Sequence, residues 1–380
     1  MKNHNCLRNA ICIAAGVVGL FSCRNSGNVY DGIKNVSSMS RTQISSVGLE
    51  CLQLDSIHCS GESFSWCGQS DKIYYYDTYF CRLYIFDPDG NLSDSKIGYG
   101  RGPGESLIRP GIACAMSGTG EFAVNGTTYD YEYFSRDMKL QKRFMLNQEQ
   151  NCTDPESYMT YTTADSDIAT RLYEGKLYMG MTSDKEKFSY FTTPETYISD
   201  SYRIGVVNVK NGKALPMEVK GYPSMYNDDP HKYTSFDGVD FDIDSNGNMY
   251  VGFRADSLIY VFDKSRDAKY SFGFAGKNMD TDYERVATLD DIPAYGRNLA
   301  TKGYYTWIEY IDETGVCFRS YKKGSHSGQD GLQVYDKSGG LMGDCEVPAG
   351  FKVTGYIAPY YYSQVYNEDD GSLYMYRFKI

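Results

Sequence analysis

Residues Gly98 to Ser106 read GYGRGPGES, four glycines in seven positions with a proline and one charge of each sign. Such a stretch could cradle a phosphate, hold catalytic groups, or make a tight connection between strands. A dinucleotide fingerprint needs G-x-G-x-x-G at the opening of a helix. Here Pro103 stands at the sixth position and strand-like sequence follows. A Walker loop needs Gly-Lys-Ser/Thr, which the stretch lacks. What remains is its charge. Arg101, Glu105 and Arg109, with Arg254 in a comparable loop further on, are the candidate ligand-binding residues. Guanidinium groups take carboxylates and phosphates through paired hydrogen bonds. The competing reading is an Arg–Glu pair that only pins the connection.

Other motifs offer less chemistry. Asp242-Ile-Asp244-Ser-Asn246-Gly247 imitates the front of a calcium loop, but Phe253 stands where the bidentate acid belongs. Asp-Ser-Asn-Gly-Asn is also what a hairpin turn needs. Beyond His4 the chain holds only His58, His231 and His326, with no zinc-protease spacing among them. Gly324-Ser-His-Ser-Gly328 puts His326 where a nucleophile elbow needs serine. No cofactor and no metal set is expected from these residues.

These groups must be positioned by strands. KIYYYDTYFCRLYIFD (72–87) lies over NMYVGFRADSLIYVFD (248–263) without a gap, matching Tyr74 to Tyr250, Tyr84 to Tyr260, Phe86 to Phe262 and Asp87 to Asp263. Weaker copies follow Gly120, Gly175, Gly315 and Asp370. Each is a set of short runs alternating with period two and separated by turn residues, and no helical period competes. The spacing predicts an all-β, six-bladed β-propeller over 43–380. The last copy has too few strands, so QISSVGLECLQLDSI (43–57) is expected to close the ring by joining the C-terminal blade. In that scheme GYGRGPGES is chiefly the crossing from one blade to the next. The insertions Met217–Tyr233 and Asn278–Tyr310 are expected to carry any binding rings, with further candidates in Tyr356–Tyr366.

FDIDSNGNMYVGFRADSLIYVFD resembles a blade of the NHL/TolB-like six-bladed propellers, and IGYGRGPGES resembles a Gly-Pro-Gly-Glu motif of TolB-like propeller lipoproteins from Gram-negative bacteria. The resemblance implies a fold and an address, and no activity. Lactonase-like propellers hold a channel metal through Glu, Asn and Asp, a set that cannot be matched here residue by residue.

The N-terminus agrees with that address. Lys2 and Arg8 precede the apolar run Ala10–Phe21, then Leu20-Phe21-Ser22-Cys23 resembles a lipobox. Residues 1–22 are thus expected to be a signal peptide, Cys23 the lipidated residue, and 23–42 a flexible tether. The formal charge of −11 becomes −13 once Lys2 and Arg8 are removed, which argues against a nucleic-acid partner. Eight further cysteines form no C-x-x-C pair and are read mainly as free thiols. The chain is therefore expected to be a monomeric, membrane-anchored envelope lipoprotein, at the outer membrane facing the periplasm, binding a peptide, glycan or protein partner. A metal-dependent hydrolase or lyase, or a structural subunit of an envelope assembly, are the alternatives.

Overall fold

The computed structural model describes residues 28–127, 129–146, 152–163, 169–368 and 371–380. Cys23 and the expected signal peptide lie outside them. The described chain is all-β, built from antiparallel four-stranded meanders. Four of these occupy residues 113–145, 170–220, 239–272 and 304–348. Two more share an eight-stranded sheet, the four strands of 63–96 and the three of 353–378 with Glu50–Gln53 as a fourth, joined at their innermost strands by one parallel bridge between Cys67 and Gly355. Gly355 has φ +148, and a Cβ there would lie 2.0 Å from the Cys67 carbonyl oxygen, so the close approach requires glycine.

Within each copy the strands follow one another outward in chain order. In the 239–272 meander the strands are Val239–Ile243, Met249–Phe253, Ile259–Phe262 and Ala268–Phe272, from innermost to outermost. The matched Asp87 and Asp263 make the same turn, each carboxylate accepting backbone N–H groups two and four residues on. Asp244 does likewise with Asn246 and Asn248, so its carboxylate is taken up by the hairpin turn.

Burial explains the composition. Second strands such as Ile73–Asp77 and Met249–Phe253 are buried on both faces, because each sheet is sandwiched between two neighbours. The core is accordingly divided into clusters between consecutive meanders. Tyr76, Phe122 and Phe134 pack between 63–96 and 113–145, and Phe318, Phe351 and Phe378 between 304–348 and 353–378. Leu52, Ile73, Tyr75, Leu373 and Met375 pack between 353–378 and 63–96. Tyrosine suits these seams, with a large ring to bury and a hydroxyl to leave at the rim.

The 43–57 segment supplies the strand Glu50–Gln53, paired antiparallel with Leu373–Phe378. The preceding segment differs from the expected tether. From residue 28 it is laid against the sheets. The Asn28 side-chain amide donates to the Tyr222 carbonyl at 2.6 Å, and Tyr30 is buried against Phe253 and Tyr260. Ser38–Met39 pairs parallel with Gly340–Leu341. Its polar residues cover outer strand edges that would otherwise be left open, which composition alone does not reveal.

Inner strands all begin on one face, here called upper, and end on the other, called lower. The Asp77–Arg82 turn, GYGRGPGES and Arg254 lie on the upper face, as do three insertions. One of these carries the helix Pro194–Asp200, a second the short helix Met225–Asp228, and the third the helix Ile292–Thr301. No helix among the described residues is long and apolar enough to cross a membrane.

Candidate functional site

The GYGRGPGES loop closes on itself. The Gly100 N–H donates to the Ser106 carbonyl at 2.9 Å, and the Ser106 N–H to that of Gly98 at 2.8 Å. The Glu105 carboxylate accepts the Gly102 N–H at 2.6 Å and fills the space above Gly100, where a Cβ would lie 2.2 Å from it. Glu105 therefore pins the connection through backbone, and not through the expected pairing with an arginine. Arg101 is exposed. Arg109 lies 3.7 Å over the Tyr79 ring and 5.3 Å from that of Tyr99. Of the four candidate residues, Arg254 alone lines the cavity described next.

The inner strands Ser63–Cys67, Ala113–Met116, Thr170–Tyr173, Val239–Ile243, Tyr304–Ile311 and Val353–Ile357 surround a central channel. At its waist sits Arg171. Its Nε is 2.5 Å from Asp242 Oδ1, its Nη2 is 3.0 Å from Glu309 Oε2, and its guanidinium lies 4.7 Å from the Trp307 ring centroid. Asp242 also accepts the N–H groups of Tyr310 and Ile243, and the Trp307 indole N–H donates to the Val353 carbonyl at 2.7 Å. Burial opposes the Arg171 charge, but Asp242 and Glu309 outweigh it and hold the guanidinium ionised. One cation between two acids leaves one acid in excess. Burial, reinforced by Asp242 and only partly offset by Arg171, pushes Glu309 up to about 8.

The channel mouths differ in charge. The upper mouth opens into a cavity of about 330 Å³ lined by Phe64, Trp66, Tyr304 and Trp307 and by the cations Arg171, Arg254, Lys322 and Lys352, with no acid in its lining. Lys322 stands 5.1 Å from the Tyr304 ring centroid and Lys352 5.2 Å from that of Trp307. The lower mouth, about 760 Å³, gathers six acids, among them Glu121, Glu174, Asp244 and Asp312, against Arg171 and Lys210. Among the described residues no group of three or more His, Cys, Asp or Glu is placed to hold a metal. All eight cysteines are free thiols, with Cys81, Cys114, Cys317 and Cys345 buried.

The rings expected from Tyr304–Tyr310 divide. Tyr304 and Trp307 line the cavity, while Tyr305 is buried under Arg319, 3.6 Å from its ring centroid. Phe64, Trp66, Arg171, Lys322 and Lys352 escaped the sequence reading. A signal existed for Asp242 and Glu309, each a charge between apolar neighbours in a strand-like run, Phe241-Asp-Ile243 and Ile308-Glu-Tyr310, and a weaker one for Arg171 between Thr170 and Leu172.

No family profile and no curated protein sequence matches the chain. Among solved structures, the chain resembles a member of the DUF4221 family from Bacteroides vulgatus. The TM-score is 0.62 at 12% identity, over 88% of this chain and 98% of the other. It also resembles a protein of Bacteroides fragilis described as exported, with a TM-score of 0.52 at 13% identity, over 91% and 99% of the two chains. At such identities the likeness speaks for the fold alone. The fold is a β-propeller, with meanders set around a channel lined by their innermost strands.

Proposed function

We propose that this chain is an exported six-bladed β-propeller, closed by its own N-terminal strand, that binds an anionic ligand at the upper channel mouth without transforming it. Six meanders, and the pairing of Glu50–Gln53 with Leu373–Phe378, support the blade count and the closure. One observation carries the binding reading. A chain of net charge −11 lines a ring-walled cavity with Arg254, Lys322 and Lys352 and with no acid, while Arg171 at its floor is balanced by Asp242 and Glu309. In a concave, partly dry site such a field favours carboxylate, sulfate or phosphate groups.

The chain contains two tryptophans, Trp66 and Trp307, and both line the site. Intrinsic fluorescence therefore reports on it without a label. Titration of residues 28–380 with galacturonate or glucose 6-sulfate is expected to change the emission, with an affinity that weakens as salt rises. Glucose is expected to leave it unchanged. Equal responses to the neutral and the charged sugars, or none to either, would refute the reading.

The lipobox-like run before Cys23 supports a lipid anchor in the cell envelope, and the lack of an aspartate in Arg24-Asn25-Ser26 after it favours the outer membrane, facing the periplasm. From Cys23 to the packed Asn28 at most about 18 Å of chain is available, so the propeller would sit close to the bilayer. Expressed in full, the chain is expected in the membrane fraction and its Cys23→Ser variant in the soluble one. Membrane retention of the variant would exclude a lipid on Cys23 as the sole anchor.

A further inference from the structure

A second cavity of about 350 Å³ opens on the upper face between the 170–220 and 239–272 meanders, and Arg254 belongs to its lining as well as to that of the channel mouth. Arg254 thus forms a common wall, its side chain lying against Gly238, where a Cβ would be 2.7 Å from Nε. At the inner end of this second cavity is Arg203, 1% exposed. Its Nη1 donates to the Tyr197 hydroxyl at 2.7 Å and its Nη2 to the Asp237 carbonyl at 2.8 Å. The Tyr222 ring lies 4.8 Å away.

No carboxylate among the described residues pairs with this guanidinium within ion-pair distance, although a buried cation ordinarily has one. The Arg203 Nε and the Tyr190 hydroxyl are both buried without a hydrogen-bond partner among the described residues, and both residues line the cavity. Each can donate, so the missing partner is an acceptor, and the charge of Arg203 favours an anionic one. Two carboxylates share this lining: Asp237 accepts the Thr182 hydroxyl at 3.0 Å, and Asp184 is exposed, so the Arg203 end is where an anion is favoured.

We infer that the two cavities are adjoining subsites for one acidic oligosaccharide, with a sugar carboxylate at the channel mouth and a second at Arg203, the chain passing Arg254. This rests on the binding reading above and names its ligand class. Both subsites combine guanidinium or ammonium groups with flat rings, Tyr190, Phe191 and Tyr295 in one and Tyr304 and Trp307 in the other. The second adds the hydroxyls of Ser189 and Thr192. A sugar acid uses all three, with a ring face on the aromatics, its hydroxyls on Ser and Thr, and its carboxylate on the cations.

The test is a tryptophan-fluorescence titration with galacturonate, its linear di-, tri- and tetramers, and glutamate peptides of matched charge. Two variants accompany the wild type. Thr192→Trp plugs the second cavity from its exposed rim, and Arg203→Lys keeps the charge but loses the Nε–H. Thr192→Trp adds a fluorophore, so its affinities are read by calorimetry. The trimer is expected to bind about ten-fold or more tighter than the monomer, since the second contact becomes intramolecular. Either variant should abolish that gain and leave monomer binding at the channel mouth unchanged. If monomer and trimer bind alike, or the plug leaves trimer affinity intact, the second subsite is refuted while the channel-mouth reading stands. If the peptides bind and the uronides do not, the sugar class is refuted. Silence toward every anion overturns both readings.

Discussion

Replacing Arg171 with methionine is expected to lower the unfolding free energy by about 3–5 kcal/mol at pH 8, the usual loss when one partner of a buried ion pair is removed. Methionine fills much of the volume, so the change is mainly electrostatic. Asp242 and Glu309 would then face each other in the waist of the channel without the cation that now touches both. The penalty should shrink by more than half at pH 5, where Glu309 holds its proton and one negative charge fewer faces the gap. Denaturation at the two pH values reads this directly. A loss below about 1 kcal/mol, or one equal at both pH values, would mean that water reaches these acids freely.

The wild-type protein should already show the trend in weaker form. Folding raises the Glu309 pKa from 4.5 to about 8, chiefly through burial. The folded state then holds a proton that the unfolded state has released. The resulting stability is complete below about pH 4.5 and is lost as pH rises through 8. Glu309→Gln removes the dependence. At pH 9 it should be more stable than wild type by on the order of 2–4 kcal/mol. Arg171→Met steepens the slope and Glu309→Gln flattens it, which separates titration of Glu309 from a general packing defect.

The meanders could be read from the sequence because each rule acts locally. Alternation marks a strand, and an aspartate followed by asparagine or glycine marks its turn, as at Asp87 and Asp244. GYGRGPGES could be read as a connection because glycine and proline constrain the backbone wherever they stand. The choice of Glu105's partner was not legible, since it depends on the path of a folded loop that places the Gly102 N–H under the carboxylate. Residues 28–42 misled for a similar reason. Serine, asparagine and glycine describe a free chain as well as one laid on strand edges, and only Tyr30, buried against Phe253 and Tyr260, hinted otherwise. The channel was the least legible part. Trp66, Arg171, Trp307 and Lys352 come from four distant segments, and their convergence is a property of the fold.

Reversing two charges at the upper mouth, Lys322→Glu with Lys352→Glu, is expected to weaken an anionic ligand about 100-fold or more while shifting the melting temperature by no more than about 2 °C. Both lysines are half-buried at the cavity edge, with their ammonium groups near the rings of Tyr304 and Trp307. In such semi-exposed positions each reversal costs a bound anion on the order of 1–2 kcal/mol at an effective dielectric between protein and water. Stability should change little, because a surface charge near a ring contributes well under 1 kcal/mol. The pair of glutamine substitutions should produce about half the effect in free energy, and rising salt should narrow the gap between wild type and variants. Tryptophan fluorescence and calorimetry read the affinities, and scanning calorimetry reads the fold. Unchanged affinity would mean that these lysines do not hold the anion. A melting temperature lowered by many degrees would instead assign the lysines to holding the 304–348 and 353–378 meanders together.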